Sequence, residues 1–199
     1  QPVKYFSGQN QEYVSEYERA FNQCFEIREG AIAWGAPESS PPEWTRGRER
    51  QVRAVLSRLK QSGTPLRDLV VCDVSAGSGQ YTFALAQHFR WVLHCDLSVD
   101  NLNYALHKSA RMGISNILFL RVDYFRLPFI HSLDRILCFD TLIRGKEHEK
   151  ALLQNIYKAL LPRGEAMVDF HNWWHNPLRR LGLLRQNFGQ NQSYARGEA

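Results

Sequence analysis

The chain has 199 residues, of which 44% are hydrophobic and 23% are charged. This length and composition are typical of a folded domain with a sizeable core, and they exclude a disordered chain. The formal net charge is +5, and acidic residues interleave the arginines of residues 46–50, so these charges favour solvated helix faces over a nucleic-acid-binding stripe. No apolar run reaches the roughly 18 residues of a membrane span, and the first residues lack the pattern of a signal peptide.

Cysteine usage indicates a reducing compartment. Cys72, Cys95 and Cys138 lie in apolar, strand-like runs, and none of the four cysteines, which include Cys24, has the spacing of a metal site. The cysteines therefore predict reduced core residues. Together with the absent signal-peptide pattern, they predict a cytoplasmic protein.

The first part of the chain, residues 1–60, predicts a helical cap. Apolar positions between residues 13 and 24 recur at helical intervals. Residues 35–45 contain three prolines and predict a loop. Residues 46–59 predict an amphipathic helix with a single apolar stripe.

Residues 61–199 predict an α/β core, because short apolar runs alternate with helical segments of about 10–15 residues. Such alternation is typical of βα units around a mainly parallel sheet, which binds ligands at the carboxyl ends of its strands. The predicted strands are residues 69–74, 91–95, 117–122, 133–139 and 165–170. The predicted helices are residues 81–89, 99–112 and 146–161, the last of them closed by Pro162 and Gly164.

A turn of small residues, DVSAGSG at residues 73–79, joins the first predicted strand to the next helix. Small residues let the backbone turn tightly and approach a ligand closely, and the first N–H groups of a helix are free to donate. The turn lacks the GxGxxG fingerprint that serves a dinucleotide. By itself, the turn predicts only a nucleotide-like ligand.

Acidic residues at the ends of the following strands make this prediction more specific. Asp96 ends the second strand, close to the roughly 20-residue spacing after the turn at which a carboxylate accepts from ribose hydroxyls. Asp123 ends the third strand, where a carboxylate can accept from an adenine amine between apolar neighbours. The fourth strand ends at Phe139 and Asp140. These strand ends favour an adenosine-containing ligand.

In this order and spacing, the segments resemble the class I, Rossmann-like S-adenosylmethionine-dependent methyltransferases over residues 69–170. The resemblance implies a three-layer α/β sandwich, S-adenosyl-L-methionine as cofactor and S-adenosyl-L-homocysteine as product. The stretches that resemble the family's successive motifs are residues 71–79, 95–98, 122–129, 133–142 and 159–165.

The resemblance also implies cofactor-binding positions, including an aromatic lid from the N-terminal segment. Ser75 stands where the family usually has its first glycine, and serine is small enough to keep the turn open. The cofactor-binding residues implied in this way are Tyr5, Tyr13, Asp73, Ser75, Gly77, Gly79, Asp96, Leu97, Asp123, Tyr124, Phe139 and Asp140.

The family core continues beyond its fifth strand to a closing β-hairpin, for which this chain has too few residues. We therefore expect residues 61–199 to form a C-terminally incomplete core that lacks the closing strands.

The family has no fixed catalytic residue, because the protein mainly aligns the acceptor with the methyl group. His148 and His171 are candidate general bases, since histidine titrates near neutral pH, although a surface helix start more often explains a histidine like His148. Arg144 is a candidate partner for an acidic substrate group, with a solvent-facing side chain as the alternative. Trp173 is a candidate substrate contact, although tryptophans more often serve packing. The His171–His175 pair lacks a third ligand, so no metal site is expected.

The resemblance favours methyl transfer to a small-molecule acceptor, such as a natural-product or quinone-like metabolite. Two alternatives remain open at this stage. One is an RNA methyltransferase that uses the basic surplus to hold phosphates, and the other is a non-catalytic scaffold that keeps the fold. Residues 139–142, FDTL, differ from the signature of DNA amino-methylating enzymes.

Overall fold

A computed structural model describes residues 4–5, 42–61, 63–141 and 146–169 of the chain. The described part contains a sheet of six strands, which all run parallel. The strands are β1 (Lys4–Tyr5), β2 (Val70–Val74), β3 (Trp91–Asp96), β4 (Ile117–Arg121), β5 (Leu133–Cys138) and β6 (Leu160–Val168). The α-helices are α1 (Pro42–Lys60), α2 (Gln80–Ala86), α3 (Val99–Arg111) and α4 (Lys146–Ala159), and 3₁₀ turns form at Leu66–Asp68 and Tyr124–Arg126.

The strand order across the sheet is β1-β4-β3-β2-β5-β6. The chain enters the core at β2, moves outward through β3 and β4, and then crosses back to β5 and β6 on the other side of β2. The order therefore reverses between β2 and β5. In open α/β sheets, the carboxyl ends of the strands at such a reversal form a ligand-binding crevice.

Helices cover both faces of the sheet. Side chains alternate between the faces along each strand, so each strand contributes apolar residues to both layers. The first face packs against α1, α2 and α3, and its buried members include Val71, Leu85, Val92, Leu102 and Leu137. The second face packs against α4 and the second 3₁₀ turn, and its members include Cys72, Leu93, Ile136, Leu152 and Ile156. The predicted three-layer α/β sandwich is therefore confirmed.

The boundary between α4 and β6 differs from the prediction. The helix predicted at residues 146–161 ends at Ala159, because Leu160 already pairs with Leu133 in the sheet. The strand predicted at residues 165–170 consequently begins at Leu160. A register shift separates that first pair from the Arg135–Glu165 pair, and Arg163 within the irregular stretch has a φ of 70°. Strand pairing thus begins before the Pro162 and Gly164 turn signals.

Three other boundaries also differ. Helix α1 begins at Pro42, inside the predicted loop, because proline has no N–H to satisfy in a first helical turn. Helix α2 ends at Ala86, short of the predicted residue 89, where the N–H groups of His88 and Phe89 both turn back to Leu85 O. Within the predicted helical cap, residues 4–5 form strand β1, which pairs with the outer edge of β4.

The predicted core cysteines are confirmed where the structure describes them. Cys72, Cys95 and Cys138 are buried and free, and burial raises the pKa of Cys138 to about 12. Cys24 lies outside the described residues. None of the helices in the described ranges is both long and apolar enough to cross a membrane.

Candidate functional site

The loop at residues 75–79 leaves the carboxyl end of β2 through three left-handed backbone positions. Ser75, Gly77 and Gly79 have φ values of 57°, 55° and 84°. A Cβ atom built on Gly79 would lie 2.8 Å from the Phe83 ring, whereas one on Gly77 would meet nothing within 4 Å. Gly79 is therefore needed for both conformation and space, and Gly77 faces open space that a ligand can enter.

The Asp96 carboxylate, at the end of β3, is tied to this loop. Its Oδ2 accepts the Gly77 N–H at 2.7 Å, and its Oδ1 accepts the Ser98 N–H at 2.9 Å and the Asn101 Nδ2 at 3.4 Å. Burial is the largest effect on Asp96 and raises its pKa, and these hydrogen bonds oppose the shift. Asp96 therefore fixes the loop at the end of β3.

Asp123 follows β4 and lies at the same edge of the sheet as Asp96. The two strand ends are joined because Val122 N–H donates to Asp96 O at 3.0 Å. Asp123 Oδ1 accepts the Phe125 N–H at 2.8 Å and so caps the 3₁₀ turn, in which the rings of Tyr124 and Phe125 lie 4.2 Å apart. Burial raises the pKa of Asp123, and the hydrogen bond from Phe125 and the charge of Arg126 lower it.

Asp73, near the end of β2, belongs to a buried polar chain beneath the loop. Thr82 Oγ1 donates to Asp73 Oδ2 at 2.6 Å and lies 2.8 Å from His94 Nδ1. Burial raises the pKa of Asp73 to about 7, although the Thr82 hydrogen bonds lower it. Burial is the largest effect on the pKa of His94 and lowers it to about 3. His94 is therefore neutral near pH 7.

The exit of β5 forms the other side of the crevice. The Phe139 ring packs against Tyr81 with a centroid distance of 4.9 Å. Asp140 has a φ of 53°, and its N–H donates to both carboxylate oxygens of Asp169, at 2.9 and 3.1 Å. Asp169 directly follows β6, so a carboxylate from one strand end holds the backbone at the exit of its neighbour.

The structure brings most of the predicted cofactor residues to one edge of the sheet. These residues are Asp73, Ser75, Gly77, Gly79, Asp96, Leu97, Asp123, Tyr124, Phe139 and Asp140. Tyr5 contributes its backbone to β1, opposite Arg121 of β4.

The remaining candidates are less completely described. The predicted His148 is exposed, and its ring lies 4.9 Å from that of Phe125, beside the turn that Asp123 caps. The candidates that lie outside the described residues are Tyr13, Arg144, His171 and Trp173.

Sequence analysis missed four polar residues of the site. Thr82 and His94 lie within apolar runs, so nothing local marks them. Asn101 stands three residues after Ser98, whose side chain caps α3, and this capping pattern is visible in the sequence. Asp169 ends the fifth predicted strand, so the strand-end argument applied to Asp96 and Asp123 identifies it as well.

Residues 71–164, which carry the loop and the acidic strand ends, match the family model described as a methyltransferase domain. This match, over slightly less than half of the chain, confirms the predicted resemblance to methyltransferases. No protein of curated function matches the chain in sequence.

Solved structures share the fold of this methyltransferase domain. The PH0226 protein from Pyrococcus horikoshii OT3 is 20% identical with a TM-score of 0.62, over 86% of this chain and 72% of that one. Magnesium protoporphyrin IX methyltransferase (ChlM) from Synechocystis PCC 6803, solved with S-adenosylhomocysteine, is 18% identical with a TM-score of 0.58, over 91% and 82%. Phosphoethanolamine N-methyltransferase 1 from Haemonchus contortus is 18% identical with a TM-score of 0.56, over 81% and 33%.

The chain spans about half the length of several other matched structures, 50% of one and 58% of another. At such identities, the structures establish the fold of the methyltransferase domain and leave its reaction to chemical argument. Among the described residues, no group of three or more His, Cys, Asp or Glu side chains could hold a metal ion.

Proposed function

We propose that the chain transfers a methyl group from S-adenosylmethionine to a small-molecule acceptor. The observation that carries this proposal is the pairing of Asp96 with the Gly77 N–H, at 2.7 Å, beside the open face of the loop. It joins the predicted ribose-binding carboxylate to the predicted cofactor loop. The family match supports the reaction, and relatives in fold that act on a porphyrin and on phosphoethanolamine support the acceptor class.

The residues at this edge suit the charge and shape of S-adenosylmethionine. The cofactor bears two positive groups, an ammonium and a sulfonium, and the edge carries the carboxylates of Asp73, Asp96 and Asp123. Asp96 would accept from the ribose hydroxyls, and Asp123 lies beside the aromatic pair of Tyr124 and Phe125, which would adjoin an adenine ring. A Cβ at Gly77 would enter the space that the cofactor needs.

When bound, the cofactor supplies a methyl group activated by its sulfonium. The protein contributes orientation, because hydrogen bonds within the protein tie Asp96 to the loop at residues 75–79. We place the acceptor on the other side of the crevice, at the half-buried exits of β5 and β6, where Asp140 is also a predicted cofactor contact. Hydrogen-bonded groups on one side and half-buried strand exits on the other suit a transfer between two ligands.

Several assignments belong to this proposal. His148 and His171 are the candidate general bases for an acceptor that must lose a proton, and Arg144 and Trp173 are the candidate acceptor contacts. Tyr5 and Tyr13 would cover the cofactor, and the protein would act in the cytoplasm. The proposal treats residues 1–60 as the lid and residues 61–199 as the cofactor-binding core.

Methyl transfer must be tested directly, because this fold also carries other reactions. A [4+2]-cyclase, SpnF, shares the fold with 21% identity and a TM-score of 0.55. Calorimetric titration with S-adenosylmethionine and S-adenosylhomocysteine tests the cofactor, and transfer of labelled methyl to a panel of phenolic, amine and carboxylate acceptors tests the reaction. Labelling of RNA instead of the small molecules would support the alternative acceptor.

Asp96→Ala is the informative variant, with Asp134→Ala as its control. Asp134 is the same residue type in the same sheet, but its Oδ2 accepts the Val70 N–H, at the amino ends of the strands and away from the site. Asp96→Ala should weaken cofactor binding at least tenfold, since hydrogen bonds to charged groups contribute about 1.5–3 kcal/mol each. Asp134→Ala should bind like the wild type. Absence of binding by the wild type would overturn the proposal.

A further inference from the structure

The chain of hydrogen bonds from Asp73 through Thr82 to His94 lies wholly inside the protein. Asp73 is 2% exposed, and Thr82 and His94 are fully buried. The three residues come from β2, α2 and β3, so the chain connects the strand end before the loop, the helix after it and the neighbouring strand. Buried polar groups need hydrogen-bond partners or a functional role, because their desolvation is costly.

The order of donors in this chain follows from the number of hydrogens. Thr82 has one hydroxyl hydrogen and donates it to Asp73 Oδ2. The 2.8 Å contact between Thr82 Oγ1 and His94 Nδ1 is then a hydrogen bond only if Nδ1 carries a hydrogen and donates it. His94 therefore orients the threonine hydroxyl, and the hydroxyl orients the carboxylate.

Asp73 lacks a counter-charge in the part of the chain that the structure describes. The charged group that acts on it is Asp96, which has the same sign, and the Thr82 hydrogen bonds are the favourable interactions of its ionised form. A buried carboxylate of this kind is costly unless it is paired. Asp96, whose charge acts on Asp73, holds Gly77, and the space beside Gly77 is open, so we assign a cationic group of a ligand as the partner of Asp73.

We propose that Thr82 and His94 are positioning residues that hold the Asp73 carboxylate for the ammonium end of the cofactor. This inference rests on the proposed function. The two residues set the affinity for the amino-acid portion of the cofactor and leave the adenosine portion to Asp96 and Asp123. Neither residue touches the ligand, and each acts through the carboxylate.

The test compares two ligands on matched variants. S-adenosylhomocysteine has the amino-acid portion, and 5′-methylthioadenosine is an adenosine thioether without it. Thr82→Val keeps the shape of the side chain and removes the hydroxyl, whereas Thr82→Ser keeps the hydroxyl. Thr82→Val should weaken S-adenosylhomocysteine binding about tenfold in calorimetry and leave methylthioadenosine binding within about twofold, and Thr82→Ser should restore binding.

His94→Asn and His94→Leu give an independent test that does not depend on the folding of Thr82→Val. The Asn side chain carries an amide N–H near the position of Nδ1 and should keep most of the affinity, whereas Leu should reproduce the selective loss. Thermal unfolding of each variant separates folding from binding.

The possible outcomes separate this inference from the proposed function. Equal weakening of both ligands in Thr82→Val and His94→Leu would show a merely structural role and overturn the inference, as would unchanged binding of S-adenosylhomocysteine. If the wild-type protein binds neither ligand, the proposed function fails and the inference fails with it.

Discussion

On one side of the strand-order reversal, Asp73, Thr82 and His94 are buried and hydrogen-bonded to one another, and Asp96 holds the loop. On the other side, at the exits of β5 and β6, Asp140 and Asp169 are half-buried and meet through a backbone N–H. Following the proposed function, we call these sides the cofactor half and the acceptor half, although Asp140 is also a predicted cofactor contact. The first is organised like a protein core, which suits one invariant ligand. The second is less buried, and under the proposal it would receive the acceptor.

The largest expected effect tests how rigid the loop at residues 75–79 in the cofactor half is. Gly79→Ala should lower the free energy of unfolding by about 3 kcal/mol, because it combines a left-handed backbone position with a Cβ 2.8 Å from the Phe83 ring. Gly77→Ala has a similar backbone position but open space around its Cβ, so it should cost about 1 kcal/mol. Urea unfolding measures both values.

Cofactor affinity should rank the same two variants in the opposite order from stability. Gly77→Ala places a methyl group in the space proposed for the cofactor, so its loss of affinity should be the larger of the two although its loss of stability is the smaller. If Gly79→Ala is as stable as Gly77→Ala, the Phe83 ring moves freely, and the loop is less rigid than the comparison requires.

The second prediction concerns the pH dependence of stability in the cofactor half. Folding raises the pKa of Asp73 from 3.8 to about 7, so stability present at low pH is lost as the pH rises through this interval. Folding lowers the pKa of His94 from 6.5 to about 3, so stability present above pH 6.5 is lost as the pH falls. Between pH 3.8 and 6.5 the two contributions have opposite slopes and largely cancel.

Single variants should remove this cancellation. In His94→Asn the Asp73 contribution remains, so the free energy of unfolding should fall with rising pH by up to about 1.4 kcal/mol per pH unit. In Asp73→Asn the His94 contribution remains, and the slope should have the opposite sign. Urea unfolding at pH 4.5, 5.5 and 6.5 measures the slopes, and parallel curves for the two variants would contradict the assigned pKa shifts.

These residues also show what the sequence could and could not predict. The order of βα units was predictable because parallel strands buried on both faces read as apolar runs. Asp73, Asp96 and Asp123 were predictable because they stand at strand ends. Thr82 and His94 were not, since their contact joins residues from different elements that only the folded sheet brings together. The boundary at Leu160 was missed because pairing with β5, rather than local propensity, ends α4.

The smallest expected effect compares the backbone strain in the two halves at one residue each, Ser75 and Asp140, both of which have left-handed backbone conformations. Ser75 follows β2 with a φ of 57°, and Asp140 follows β5 with a φ of 53°. Glycine removes a strain of about 1–2 kcal/mol at such a position, but it adds about 0.5–1 kcal/mol of chain entropy to the unfolded state. Aspartate adopts this conformation more readily than serine, since its short side chain hydrogen-bonds locally.

Ser75→Gly should therefore raise the free energy of unfolding by about 0.5 kcal/mol, whereas Asp140→Gly should be neutral or slightly destabilising. Thermal unfolding of the two variants, with the wild type in the same buffer, resolves this difference. A stabilising Asp140→Gly would mean that the exit of β5 stores strain comparable to that in the cofactor loop. In that case the acceptor half would be as tightly constrained as the cofactor half, and variation among acceptors would have to arise from the residues that follow these strand exits.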